Sequence, residues 1–168
     1  MPNPDQTLAD LFADVAQIFG LSRPAGQCFS AIWRAAASPC ADDLVSGVGL
    51  SRSNVSTALK ELRAWNLIGT ARAPGDRKDY FTAPADPWDL LGRLLTARQR
   101  MIVAPVLDRI VAAEAESGDV RMAALHEVLD RIGTALGGLA TQDAAELARR
   151  FDALGQTTEK PRKKKKKH

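Results

Sequence analysis

Gly49-Leu50-Ser51-Arg52-Ser53-Asn54-Val55-Ser56-Thr57-Ala58-Leu59-Lys60-Glu61-Leu62-Arg63-Ala64-Trp65 is the stretch on which the reading of this chain turns. Gly49 and Leu50 make a tight connection, and Ser51 is a helix N-cap, a hydroxyl placed to accept from a first-turn amide. Wound at about 100° per residue, the helix that follows puts Val55, Leu59 and Leu62 on one face with Ala58 beside them. Ser53, Thr57, Lys60 and Ala64 fall on the opposite face, flanked by Ser56 and Arg63 on one side and Asn54 on the other. A helix that merely lies in solvent usually carries Glu/Lys pairs. Serine, threonine and asparagine are mediocre helix formers, and crowding them into two turns weakens the helix with no gain from exposure.

The flanking sequence gives that face a use. Ala41 to Val48 reads as a short helix with Asp42 and Asp43 in its first turn, where the helix dipole favours them. Beyond Trp65, Ile68–Arg72 and Asp79–Ala83 read as two short strands around the turn Ala73-Pro74-Gly75-Asp76. Helix, tight turn, helix and two-stranded hairpin is the order of a winged helix-turn-helix. In that arrangement short side chains let the second helix approach base edges in a major groove. Ser53, Asn54, Ser56, Thr57 and Lys60 then offer donors and acceptors, with Arg52 and Arg63 in reach of phosphates. Arg72, Arg77 and Lys78 make the hairpin basic, suited to the adjacent minor groove or its phosphates.

The rest of the chain reads as helix. Leu8, Leu11, Phe12, Val15 and Ile18 keep helical spacing from Thr7 to Phe19, and Gly20 ends the run. Ser22 to Pro24 opens a second helix with Cys28, Phe29, Ile32, Trp33 and Ala36 on its apolar stripe. Trp88 starts a long pattern to Ser117, through Leu91, Leu94, Leu95, Ile102, Val106 and Ile110, which Pro105 should kink or split. Gly118-Asp119 begins a helix to Leu136 with Met122, Leu125, Leu129 and Ile132 facing inward, and Gly137-Gly138 should stop it. A last helix spans Gln142 to Leu154. The expected fold is mainly α: a winged helix-turn-helix with a two-stranded β-wing and flanking dimerisation helices. Its expected divisions are a dimerisation helix (1–19), a DNA-binding lobe (20–86), a helical dimerisation lobe (87–155) and a disordered Lys-rich tail (156–168).

Charge distribution agrees with a polyanionic partner. The 168 residues carry a formal +3, but the tail from Glu159 to His168 holds seven Lys/Arg against one acid, leaving the body with 16 bases and 19 acids. Within that body, residues 49–82 hold six bases (Arg52, Lys60, Arg63, Arg72, Arg77 and Lys78) against three acids. Two positive regions on a negative body attract a polyanion that the remainder would repel. A tail clamping DNA phosphates would add roughly 0.9 to the salt slope per contact. No run approaches the ~20 apolar residues that span a bilayer, and the first residues show no export signal. Cys28 and Cys40 are too few for a disulfide scaffold. The expectation is a cytoplasmic protein, with no membrane partner and reduced thiols.

Gly49 to Ser56, continuing through Ala58-Leu59-Lys60-Glu61-Leu62 and Trp65 to Leu67-Ile68, resembles the MarR-type regulators. Pro74-Gly75-Asp76-Arg77-Lys78-Asp79-Tyr80-Phe81 is similar to the wing of their GbsR-like branch. The specific match covers residues 41–83. Asn66 stands where these sequences often have Gly, and Asn tolerates the left-handed conformation needed there. The resemblance implies a homodimeric transcriptional regulator of double-stranded DNA, usually a repressor, with terminal helices at the dimer interface. It makes Ser51, Arg52, Ser53, Asn54, Ser56, Thr57, Lys60 and Arg63 the recognition helix, and Arg72, Arg77 and Lys78 the wing. Members of the branch respond to quaternary ammonium compounds, which require an aromatic cage. Phe29, Trp33, Trp65 and Phe81 read as core, so Trp88 is the candidate for a small-molecule effector site.

Other chemistry is not legible. Cys28 lies on an apolar stripe and reads as a small buried hydrophobe. Cys40 precedes a helix start whose two acids and whose dipole act on a thiol in opposite senses. His126 and His168 have neither a nucleophile nor a metal-spaced partner nearby, so no catalytic set, metal site or cofactor is expected. Two rival readings remain: an architectural protein whose tail dominates nonspecific DNA binding, and a winged-helix module that contacts another protein.

Overall fold

A computed structural model describes residues 4–72 and 74–158. Eight α-helices and two strands follow in the order α1 (Pro4–Ile18), α2 (Arg23–Arg34), α3 (Ala41–Val48), α4 (Arg52–Ala64), β1 (Gly69–Ala71), β2 (Tyr80–Thr82), α5 (Pro87–Arg98), α6 (Ala104–Ser117), α7 (Val120–Ala140) and α8 (Ala144–Thr158). A π-helical turn, Gln99–Val103, joins α5 to α6. None of the described helices is long and apolar enough to cross a membrane.

The core is built where α2 and α4 cross, walled by α1, α3, β2 and α5. Phe29, Ile32, Leu44, Val55, Leu59, Leu62, Trp65, Leu67 and Phe81 meet there. Helix α1 closes on α2 over Gly26, where a Cβ would stand 2.7 Å from the Phe12 carbonyl oxygen and from the Ala13 Cα. Only the missing side chain permits that approach. Ser22 caps α2 by accepting from the Ala25 amide at 3.3 Å, and Glu61 of α4 reaches back to it. The Glu61 carboxylate accepts from the Ser22 amide (2.8 Å) and hydroxyl (2.5 Å), pinning the start of α2 to the third turn of α4.

β1 and β2 pair antiparallel, with Gly69 opposite Thr82 and Ala71 opposite Tyr80. The strands are shorter at both ends than the sequence suggests. A third chain segment joins them, because Phe81 donates to the Pro39 carbonyl (2.9 Å) and Cys40 bridges Tyr80. The wing is thereby stitched to the start of α3. Trp33 Nε1 donates to the Pro84 carbonyl at 2.9 Å, which fixes the wing's exit.

Pro105 does split the long helix, and the π turn shows how. A proline inside an α-helix lacks the amide and collides with the carbonyl four residues before it. The widened ring, in which the Ala104 amide bonds back to the Gln99 carbonyl, opens room just ahead of the proline. Helix α7 then runs through Gly137 and Gly138 to Ala140, so the glycine pair does not stop it. Two glycines in a last turn cost about 1 kcal/mol each relative to alanine. Thr141 Oγ1 and Gln142 Nε2 both donate to the Gly138 carbonyl and keep that turn wound. α8 begins after Asp143, whose carboxylate accepts from the Glu146 amide at 2.8 Å, and it continues through 156–158, which were expected in the disordered tail. Residues 159–168, His168 and the lysine run among them, lie outside the described residues.

The inward set expected for α7 is also corrected. Leu125 and Ile132 stand 45% and 47% exposed on the single chain, and Gly133 is the one buried residue of that helix. Val106, Val111, Val128 and Leu154, with Leu11, Val15 and Ile18 of α1, are exposed as well. His126 is half-buried and pairs its Nδ1 with Glu114 Oε2 at 2.7 Å across α6 and α7.

Candidate nucleic-acid interface

α4 sorts its residues by face as its periodicity requires. Val55, Ala58, Leu59 and Leu62 are buried, while Ser51, Arg52, Ser53, Asn54, Ser56, Thr57, Lys60 and Arg63 are all exposed. Gly49, at φ 74°, makes the left-handed turn that reverses the chain between α3 and α4. Ser51 caps α4 by accepting from the Asn54 amide at 3.2 Å, and its hydroxyl also meets that of Ser53 at 3.0 Å. At the other end Asn66, at φ 57°, makes the left-handed turn. Asn66 donates to the Arg63 carbonyl and Leu67 to the Leu62 carbonyl, both at 2.9 Å, the two-bond closure of a Schellman motif. α4 is therefore a rigid rod, closed at both ends, that presents hydroxyls and an amide to solvent.

Carboxylates orient the cations around it, a feature that sequence reasoning missed. Arg72 Nε donates to Asp79 Oδ1 at 2.7 Å, and Arg63 Nη2 lies 3.4 Å from the other oxygen of that carboxylate. The Arg72 hydrogen bond, with the charges of Arg72 and Arg63, holds the Asp79 carboxyl below its ordinary value; Arg72 is raised in turn. Arg63 also sits over the Phe81 ring, 5.2 Å from its centroid, so it is turned toward the wing. Asp42 pairs with Arg52 at 2.8 Å and with Lys78 at 3.8 Å. No ion pair engages Lys60 or Arg77 among the described residues. The one sequence signal for this arrangement is the pair of bases bracketed by two acids in Asp76-Arg77-Lys78-Asp79.

Asp76 closes the wing turn. One of its oxygens accepts from the Lys78 amide (2.9 Å) and the other from the Tyr80 hydroxyl (2.6 Å). The exposed face of α4, the wing and the start of α3 thus lie together as one polar surface with fixed internal partners.

Trp88, the effector candidate, lies apart from that surface. Its ring centroid stands 5.8 Å from that of Phe151 in α8. It lines a cleft of about 370 Å³ between the end of α4, α5 and the turn from α7 to α8, together with Trp65, Arg93, Arg100 and Asp143. Trp65 is 4% exposed, so its body belongs to the core. Two arginines tie this region to α4: Arg100 Nη2 donates to the Ala64 carbonyl (2.9 Å) and Arg93 Nη1 to the Asn66 carbonyl (3.1 Å). Both cysteines are buried, and burial pushes the Cys28 thiol up to about 11.

No protein-family model and no curated protein sequence matches the chain. Among solved structures, the chain is similar to the crystal structure of a transcriptional regulator, with a TM-score of 0.66 and 17% identity over 94% of this chain and 100% of that one. This likeness shows the fold: a winged helix-turn-helix with a helical lobe after the wing. More distant are the transcriptional regulator Tm0710 from Thermotoga maritima (TM-score 0.41, 13% identity, 82% of this chain and 92% of that one) and MepR, a transcription regulator of the Staphylococcus aureus multidrug efflux pump MepA (TM-score 0.40, 15% identity, 76% and 90%).

Proposed function

We propose that this chain is a sequence-reading regulator of transcription that binds double-stranded DNA as a homodimer and acts as a repressor released by a small ligand. One observation carries the reading. The exposed face of α4 carries Ser53, Asn54, Ser56, Thr57 and Lys60 between Arg52 and Arg63, while Val55, Ala58, Leu59 and Leu62 on its opposite face are buried in the core. Short polar side chains on a rigid helix suit the major groove, where donors and acceptors distinguish all four base pairs. The wing cations Arg72, Arg77 and Lys78 supply contacts to phosphates beside it.

The exposed apolar side chains of α1, α6, α7 and α8 support the homodimer, since such surface is stabilised when a second copy covers it. A two-fold dimer presents its recognition helices about one duplex turn apart, to a pseudo-palindromic site. The cleft beside Trp88 supports the ligand. An occupant there would sit against Arg93 and Arg100, the residues that hold the end of α4, and would bias how the recognition helix is carried.

The test is selection from a random duplex pool with the full chain and with a 1–158 truncation, followed by salt titration of the recovered duplexes. Both forms should enrich one two-fold-symmetric site, with the truncation lowering only the salt slope. Binding without any preferred site, abolished by the truncation, would replace this reading with the architectural one.

A further inference from the structure

The Asp42 carboxylate stands between two elements that a DNA-binding surface must use together. One oxygen lies 2.8 Å from Arg52, the first residue of α4, and the other lies 3.8 Å from Lys78 Nζ in the wing. Asp42 occupies the first turn of α3, where the helix dipole already stabilises a negative charge. Its side chain is 50% exposed and so faces whatever docks on α4 and the wing. Cations from two elements converging on one exposed pair of oxygens make a site that suits a backbone phosphate equally well.

We propose that Asp42 is a specificity-determining residue: its carboxylate occupies the phosphate position between Arg52 and Lys78 and penalises duplexes that lack the preferred site. Nonspecific binding rests almost entirely on phosphate charge, so a resident anion subtracts from nearly all of it. On the preferred site, base contacts by α4 hold the duplex close. The phosphate then displaces Asp42, which turns into water, and Arg52 and Lys78 exchange one anion for another. The discrimination rests on the DNA-binding reading above. If Asp42 only anchored Arg52 and Lys78 in place, its removal would weaken binding to every duplex.

The test compares the full chain with Asp42→Asn, which keeps the shape and removes the charge. Asp108→Asn, an exposed acid of α6 outside this surface, controls for net charge. Each is titrated, at several salt concentrations, against the duplex recovered by selection and against a scrambled duplex of equal length. Asp42→Asn should tighten the scrambled duplex about 10-fold and the recovered one about 3-fold or less, with a salt slope on the scrambled duplex steeper by roughly 1 to 2. Asp108→Asn should change both duplexes alike and by less. Weakening on either duplex, or equal tightening on both, overturns the assignment. Asp42→Ser, read in parallel with melting curves, keeps the comparison valid if the amide perturbs the first turn of α3. A parent chain that recovers no preferred site overturns the DNA reading and, with it, the role of Asp42. A parent chain that recovers one while Asp42→Asn scales both affinities equally overturns the role alone.

Discussion

The Tyr80 hydroxyl donates to the Asp76 carboxylate at 2.6 Å across the wing turn, and that carboxylate's other oxygen accepts from the Lys78 amide. The hydrogen bond, then burial and the charge of Asp76, raise the Tyr80 phenol above its ordinary value. Tyr80 is the only tyrosine in the chain, so its ionisation can be followed directly by absorbance at alkaline pH. The midpoint should lie above that of a free tyrosine, and Asp76→Asn should bring it down. A group raised on folding contributes stability that is fully present below its unfolded value and lost as pH rises through the folded one. The wing should therefore loosen only in strong alkali. A parent midpoint at or below that of free tyrosine would mean that this contact does not form.

Asp79 gives the opposite dependence. Arg72 first, then Arg63, holds its carboxyl below the ordinary value. A group depressed on folding contributes stability present above its unfolded value and lost as pH falls through the folded one. Acidification below about pH 4, the ordinary carboxylate range, should release Arg63 and Arg72 from Asp79. The Arg63 and Arg72 side-chain NH signals followed by NMR should shift in that window in the parent chain, and Asp79→Asn should remove their transition.

Gly26→Ala should destabilise the fold although alanine is the better helix former. The gain of about 1 kcal/mol in helix propensity is smaller than the overpacking cost of typically 1–3 kcal/mol, which rises where the obstacle is backbone. Here the obstacles are the Phe12 carbonyl oxygen and the Ala13 Cα. A chemical-denaturation midpoint at or above that of the parent would show that α1 can move away without loss.

Lys60→Ala and Arg77→Ala should each weaken duplex binding and lower the salt slope by about 0.9 for every phosphate no longer neutralised. Neither residue takes part in an ion pair among the described residues, so melting should change little, within about 0.5 kcal/mol. Unchanged binding in both variants would favour the protein-interaction reading of the winged helix.

Cys28 and Cys40 should resist a thiol reagent in the folded chain at pH 8 and react together in denaturant. Burial that raises Cys28 to about 11 leaves about a thousandth of it as thiolate at that pH. Rapid labelling of the native chain would show frequent opening of α2.

Some of this architecture could be read without coordinates, for reasons that differ residue by residue. α3 was legible to its ends, Ala41 and Val48, because Pro39 before it and Gly49 after it leave the backbone little choice. Both faces of α4 were legible because Val55, Leu59 and Leu62 share one helical phase. Asn66 was legible as a left-handed residue because few other side chains tolerate that conformation. Leu125 and Ile132 were not, since periodicity reveals an apolar stripe without naming the surface that covers it. Gly137 and Gly138 misled because their cost is small beside two side-chain bonds made by Thr141 and Gln142. Asp42 was legible as a first-turn acid but not as a partner of Arg52 and Lys78, which come from elements whose approach only the tertiary fold decides.

The π turn at Gln99–Val103 sets the phase between two helices as an extra tooth would between two gears. Arg98 and Arg100 flank or enter that turn, and they reach the ends of two different helices, at the Phe19 and Ala64 carbonyls. On the far side, Leu107 of α6 meets α7 at Gly133, where a Cβ would come within 3.0 Å of its Cδ1. Deleting one residue here would return the turn to α geometry and leave the helix beyond it close to its present phase, since the wider ring absorbs about one residue of rotation. Leu107 would stay near Gly133, but Pro105 would press on the carbonyl that the wider ring had moved aside. This five-residue stretch should resist a change of length, a pattern opposite to that of surface loops.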